Sequence, residues 1–306
     1  FVQALPIFPT LENHLYLSRY NAANNQVEIW DNNTPDWVTT FGSGAPFDTD
    51  PSNSASAPQL AIDSTGNVYI VFVQNNGIYL SRYDAANNRI EIWKNSTAQW
   101  TTNSVEGEPI DSGSGDATTP QLAIDSNDMV YITYSQEVFA VDHIFLSRYD
   151  GTAVRIWDSD GSGGWHSTYA NGDPIDTGIG AATAPQLTIN SNNRVYVTYN
   201  QGTPSRIYLS RYDGMVVRIW DAAGWTTTFS DGDPIDVGPA NDALNPQLAV
   251  DANDRIYTTF YQGPIATPRI YLSRYGDAST PVIFVPGGGG GGCFISTSMD
   301  GSLFAP

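Results

Sequence analysis

Apolar and polar residues are grouped along this chain in short runs of five to eight, at strand spacing and never at helical spacing. One stretch shows the pattern. Pro185 to Asn190 reads as a short strand entered through proline, and Ser191-Asn192-Asn193 as a turn. Arg194-Val195-Tyr196-Val197-Thr198-Tyr199 is a second strand, rich in β-branched and aromatic side chains. After a loop, Ile207 to Tyr212 is a third strand, Asp213-Gly214 a hairpin turn, and Val216 to Trp220 a fourth strand. Gly224-Trp225 and a long loop containing Gly232-Asp233-Pro234-Ile235-Asp236 follow, and a new unit opens at Pro246. Both faces of these strands carry large apolar groups, as sheets sandwiched between neighbours require.

The unit repeats. Leu-Ser-Arg-Tyr occurs five times, with Arg19, Arg82, Arg148, Arg211 and Arg274 separated by 63, 66, 63 and 63 residues. Pro-Gln-Leu openings stand at Pro58, Pro120, Pro185 and Pro246. Four short strands per repeat of about 62 residues predict an all-β fold, a five-bladed β-propeller of four-stranded blades. The predicted blades are 1–57, 58–119, 120–184, 185–245 and 246–286, followed by a Gly-rich tail over 287–306. Phe1-Val2-Gln3 matches Phe72-Val73-Gln74, so the first blade lacks its first strand and most of its second.

Composition narrows the function classes. Of 306 residues, 41% are hydrophobic and 15% charged, and the net charge is −19 with a single lysine, Lys94. Without a basic patch, nucleic acid and anionic lipid are excluded as expected partners. No apolar run reaches the roughly 20 residues of a membrane helix. One cysteine, Cys293, allows no internal disulfide framework.

The repeat resembles a family of bacterial secreted β-propeller proteins with a sialidase-like blade pattern. Pro246–Asp251, Ile256–Phe260, Ile270–Tyr275, Gly224-Trp225 and Gly232–Asp236 carry that likeness. The tail resembles a C-terminal box of bacterial secreted proteins through Gly287–Gly292, Cys293-Phe294-Ile295, Thr297 and Gly301-Ser302. Together the resemblances imply an extracellular or cell-surface protein.

Four groups of residues are candidates for chemistry. The repeated arginines are expected to be structural, with Asp48, Asp111, Asp176 and Asp236 as partners, because a buried charge must be paired. Glu28 and Glu91 give way to Arg155 and Arg218 at equivalent positions, which suggests surface sites. Trp37, Trp100, Trp165 and Trp225, the second member of each tryptophan pair, are either packing groups or sugar-stacking rings, since a ring of equivalent sites gives avidity. Asp231, Asp233 and Asp236 are the calcium candidates, in loops without EF-hand spacing; the expected cofactor set is otherwise empty. His14, His143 and His166 suggest no catalytic set.

The leading expectation is a non-catalytic extracellular structural or adhesive propeller. The tail strand Cys293-Phe294-Ile295 would either close the first blade of its own ring or be donated to the next molecule in a fibre, so the partner is a second copy of the chain, or else a surface glycan or protein. The rivals are a multivalent glycan-binding module and a divergent glycoside hydrolase. Recognition is expected among the variable loops joining second to third strands, at 4–14, 75–77, 137–143, 202–206 and 263–269.

Overall fold

The computed structural model describes residues 2–4, 12–50, 52–113, 115–159, 164–264, 268–276, 279–286 and 293–297. The glycine tract 287–292, the end 298–306 and parts of two variable loops, 5–11 and 265–267, lie outside the described residues. The described residues form antiparallel strands joined by turns and four three-residue 3-10 helices, with no α-helix among them. The fold is a five-bladed β-propeller.

The second blade runs in chain order through Ala55–Ile62, Val68–Gln74, Gly77–Asp84, Arg89–Lys94 and Gln99–Thr101. The third and fourth blades repeat this order, ending on Gly164–His166 and Gly224–Thr226. The segment around the second tryptophan, Asp36–Val38, Gln99–Thr101, Gly164–His166 or Gly224–Thr226, thus adds a short outer strand to each of the first four blades. Pairing of Trp93 with Trp100, and of Trp220 with Trp225, fixes its register. In the first blade Val2–Ala4 pairs with Asn13–Leu15, and Ser18–Asn21, Gln26–Asp31 and Asp36–Val38 form a separate three-stranded sheet.

Strands such as Val195–Gln201 are buried along their whole length, on both faces. Before the inner-strand prolines, Ala57, Thr119, Ala184 and Asn245 have φ of 49, 49, 52 and 52°. In the second, fourth and fifth blades the pairing register shifts at this point. The left-handed residue makes a bulge that accommodates a proline with no N–H to give the ladder.

Cys293–Thr297 is the fifth strand of its own blade. It pairs antiparallel with Ser279–Pro286, with Ile295 opposite Phe284 and Cys293 opposite Pro286. This is the position that Gly-Trp strands take elsewhere. The expectation of a free strand donor is corrected on that ground, because the main chain of Cys293, Phe294 and Ile295 is already in a ladder.

Contacts divide the chain into two compact units. The first holds Phe1–Ile132 with Ser147–Ile156 and Ser167–Ala170; the second holds Thr133–Leu146, Trp157–His166 and Asn171–Pro306. The first is centred on Leu15, Trp30, Phe47, Phe72 and Ile92, the second on Tyr196, Ile207, Leu209, Ile235 and Phe260.

Candidate functional site

Each repeat loop folds back onto the third strand of its own blade. Ile110 N–H donates to Ile78 C=O at 2.7 Å, Ile175 to Ile144 at 2.8 Å and Ile235 to Ile207 at 2.7 Å. The next residue, an aspartate, accepts the N–H of the same strand residue. Asp111, Asp176 and Asp236 take the Ile78, Ile144 and Ile207 N–H at 2.7, 2.8 and 2.8 Å. Phe47 and Asp48 do the same at Leu15. The triplet proline ahead of each pair stiffens the approach.

These aspartates are therefore not partners of the Leu-Ser-Arg-Tyr arginines, which corrects that expectation. Arg19 pairs with Glu28 and Arg82 with Glu91, across a strand register that sets them opposite each other. Glu28 and Glu91 are buried, not surface, residues. In the third and fourth blades the register opposes arginines instead, Arg148 to Arg155 and Arg211 to Arg218. There Asp150 and Asp213 take over, bonding Arg155 Nε at 2.9 Å and Arg218 Nε at 3.0 Å.

The residue just before the third-strand anchor varies, and with it the aspartate's partner. His14 Nδ1 lies 2.9 Å from Asp48, and His143 Nδ1 3.2 Å from Asp176. Arg206 Nε donates to Asp236 at 2.8 Å. At Gly77 a Cβ would meet Pro109 at 2.9 Å, so Asp111 has no such neighbour from that residue. The Asp176 hydrogen bond holds His143 above the ordinary histidine value against the opposing effect of burial. Burial pushes the Asp48 carboxyl up, and His14 only partly offsets it.

The second tryptophans are packing groups. Trp37, Trp100, Trp165 and Trp225 donate Nε1–H to Tyr83, Tyr149, Tyr212 and Tyr275 of the following blade, at 2.7–3.1 Å. Arg19, Arg82 and Arg211 lie over the rings of Trp37, Trp100 and Trp225 at 4.2–4.5 Å. An arginine face and a tyrosine hydroxyl occupy the groups that a stacked sugar would use.

The calcium candidates do not converge. Asp236 is paired with Arg206, Asp233 accepts the Ala222 N–H, and Asp231 sits in the short helix Phe229–Asp231 beside Ser230. Among the described residues no group of three or more His, Cys, Asp and Glu side chains is placed to hold a metal.

A cavity lies in the second unit. It measures about 620 Å³ and is lined by Pro204, Ala240, Asn241, Asp242, Leu244, Tyr261, Gly263 and Pro268. Its walls include the variable loops of the fourth and fifth blades. Gln262, at the end of its strand, ties one wall by donating Nε2–H to Gly238 C=O at 2.7 Å and Asn241 C=O at 2.9 Å. Asp242 accepts the Ser205 N–H at 2.8 Å, and Ala243 N–H donates to Ser205 C=O at 2.8 Å, which ties the other.

One cross-strand pair makes this cleft unlike the rest of the repeat. In the fourth blade Thr183 stands opposite Asn200, and Asn200 Nδ2 donates to Thr183 Oγ1 at 2.9 Å. In the second blade the pair is Ser56 and Val73. In the fifth it is Leu244 and Tyr261, a large apolar pair lining the cavity. Reading the chain for its sameness passed over both residues; aligning the repeats on the glutamine after Tyr261 would have shown the departure.

No family model matches the chain, and no curated protein does. Solved structures are similar in fold. The polysaccharide lyase Uly1 shares 10% identity at a TM-score of 0.51, over 94% of this chain and 77% of that one. An ulvan lyase of polysaccharide lyase family 25 shares 10% at 0.45, over 86% and 66%. The endo-1,5-α-L-arabinanase of Thermotoga petrophila RKU-1 shares 12% at 0.41, over 72% and 57%. The chain thus spans about two thirds of the lyase's length and less of the arabinanase's. The likeness to Uly1 supports the propeller fold. These neighbours carry the names of glycan-active enzymes. The polysaccharide lyase Uly1 and the tail strand already paired in its own blade overturn the expectation of a non-catalytic structural fibre. No helix among the described residues is long and apolar enough to cross a membrane.

Proposed function

We propose that this protein is an extracellular glycan-recognising propeller whose sugar site is the cleft between the loops of the fourth and fifth blades. The Leu244–Tyr261 pair carries the reading, an apolar platform with an aromatic ring placed where the second and fourth blades have Ser56–Val73 and Thr183–Asn200. A sugar ring has an apolar face that packs on such a surface, while its hydroxyls need polar groups at the edge. Asn241 and Asp242 supply those groups. The cavity is of the size that holds a small ligand. Asp242 is the one carboxylate among its described lining residues and already accepts a backbone N–H. That suits binding and orientation better than the paired carboxylates of sugar hydrolysis.

The test is a glycan array followed by titration calorimetry on the strongest sugar. Tyr261→Ala and Asn241→Ala should each weaken binding at least tenfold and leave the unfolding transition in place. Unchanged affinity in both variants would sink the cleft as the site. Shortened or unsaturated fragments in the same incubation would replace recognition by cleavage as its activity.

A further inference from the structure

The Leu-Ser-Arg-Tyr hairpin of the second blade is balanced in charge, and that of the fourth is not. In the second blade Tyr69, Arg82 and Glu91 lie in one row across three strands. Arg82 and Arg89 share Glu91 and Asp84, two cations for two carboxylates, with Glu91 2.8 Å from Arg82 Nη2 and 2.6 Å from Arg89 Nη2. In the fourth blade the row is Tyr196, Arg211 and Arg218. Like charges directly opposite on a sheet repel. One carboxylate, Asp213, answers both among the described residues. It accepts Arg218 Nε at 3.0 Å and the Met215 and Val216 N–H at 3.2 Å, but lies 3.9 Å from Arg211 Nη2, beyond hydrogen-bond range. Arg211 Nε is buried with no hydrogen-bond partner. A following blade does not make up the deficit. At the matching turns of the third and fourth blades, Asp150 and Asp213 bond only within their own blades.

We infer that the Arg211–Arg218 pair is a binding site for a small oxyanion, a carboxylate or sulfate group. Two planar guanidinium forks can each present N–H groups to the oxygens of one such anion, and its charge relieves the repulsion between them. The Arg218 side chain is 36% exposed and that of Arg211 12%, so the anion enters beside Arg218 and is partly shielded from water. The Trp225 ring, 4.3 Å from the Arg211 guanidinium, already holds that group in place, which lowers the ordering cost of binding. The chain carries a net charge of −19, so long-range attraction does not bring the anion in. The site acts by contact, and screening beyond about 8 Å at physiological salt leaves it intact. Other blades lack the pair or repeat it. Arg19 faces Glu28 and Arg274 faces Val282, while the third blade sets Arg148 opposite Arg155, with Asp150 on Arg155. Ser205, in the wall of the proposed glycan cleft, is six strand residues from Arg211, about 20 Å. The anion site therefore does not rest on the reading of that cleft.

The test is titration calorimetry at constant ionic strength, with sodium sulfate and sodium glucuronate as probes. The full chain carries Arg155→Gln, which removes the arginine pair of the third blade. Saturable binding of one anion per chain is expected for at least one probe. Arg218→Gln, which leaves Arg211 and Asp213 in balance, should weaken it at least tenfold, and Arg218→Glu should do the same. The urea midpoint of each variant shows that it is folded. Asn241→Ala, in the glycan cleft wall, should leave anion affinity unchanged, which keeps this test separate from the sugar test. A uronic-acid oligosaccharide then names the source. Binding at least tenfold tighter than glucuronate supports an anion presented on a glycan, and equal binding supports a free one. Absence of saturable binding by both probes overturns the inference. So does binding that folded Arg218→Gln and Arg218→Glu leave unchanged, which would be an adventitious ion only.

Discussion

Replacing Trp100 by alanine should remove one of the contacts that joins a blade to the next. The ring packs edge-on against Trp93 at 5.3 Å and 73°, and against Tyr149 at 5.4 Å and 81°. Its Nε1–H donates to the Tyr149 hydroxyl at 3.0 Å, which in turn donates to Gly151 C=O at 2.9 Å. The Arg82 guanidinium lies 4.5 Å from the ring centroid. Two aromatic pairs contribute about 1 kcal/mol each, the hydrogen bond about 1 kcal/mol and the cation–π contact about 0.5 kcal/mol at a half-exposed site. The total, about 3–4 kcal/mol, agrees with the usual cost of about 3–5 kcal/mol for truncating a packed tryptophan. In a unit of this size that is a fall of roughly 10 °C in melting temperature. Trp100→Phe keeps most of the ring and loses the N–H, so it should cost about 1–2 kcal/mol, chiefly the hydrogen bond. The assay is urea unfolding followed by tryptophan fluorescence, with glycan titration on the same variants. A loss below about 1 kcal/mol for the alanine variant, together with abolished sugar binding, would refute the packing role and return these tryptophans to ligand stacking.

The remaining expectations concern the loop anchors. The hydrogen bond to Asp176 raises His143 above its unfolded value, so the stability this pair supplies is fully present below about pH 6.5 and is lost as pH rises through the raised folded value; thermal melts across pH 5.5–8.5 should show that fall in the natural protein and not in His143→Gln, and identical profiles would count against it. Gly107→Ala should destabilise by about 1–3 kcal/mol, since a Cβ there would stand 2.5 Å from Ile92 Cδ1 and 2.8 Å from Thr49 Cγ2, in the core of the first unit; an unchanged urea midpoint would show that Ile92 can move aside.

Much of the fold is written in the chain itself. A strand period repeated five times over, with tight turns between, leaves a propeller as the way to bury both faces of every sheet. The four inner-strand prolines and the Leu-Ser-Arg-Tyr strands could all be placed by counting. Side-chain partnership could not, because register decides it. Arg82 meets Glu91 and Arg211 meets Arg218 because those residues fall opposite each other across a hairpin, and only the pairing shows that Asp213 then answers the second arginine. The same holds for the loop aspartates, whose anchors lie 29 to 33 residues earlier in the chain. The tail strand Cys293–Thr297 has a sequence that suits any open edge, and its place beside Ser279–Pro286 is a fact of tertiary pairing. The cleft is likewise invisible to local reading. Leu244 and Tyr261 are ordinary strand residues until the sheet sets them side by side and Gln262 and Asp242 fix the loops around them. Local pattern fixes which residues become strands. Which side chains share a surface depends on contacts between residues far apart in the chain, and those exist only once the blades have formed.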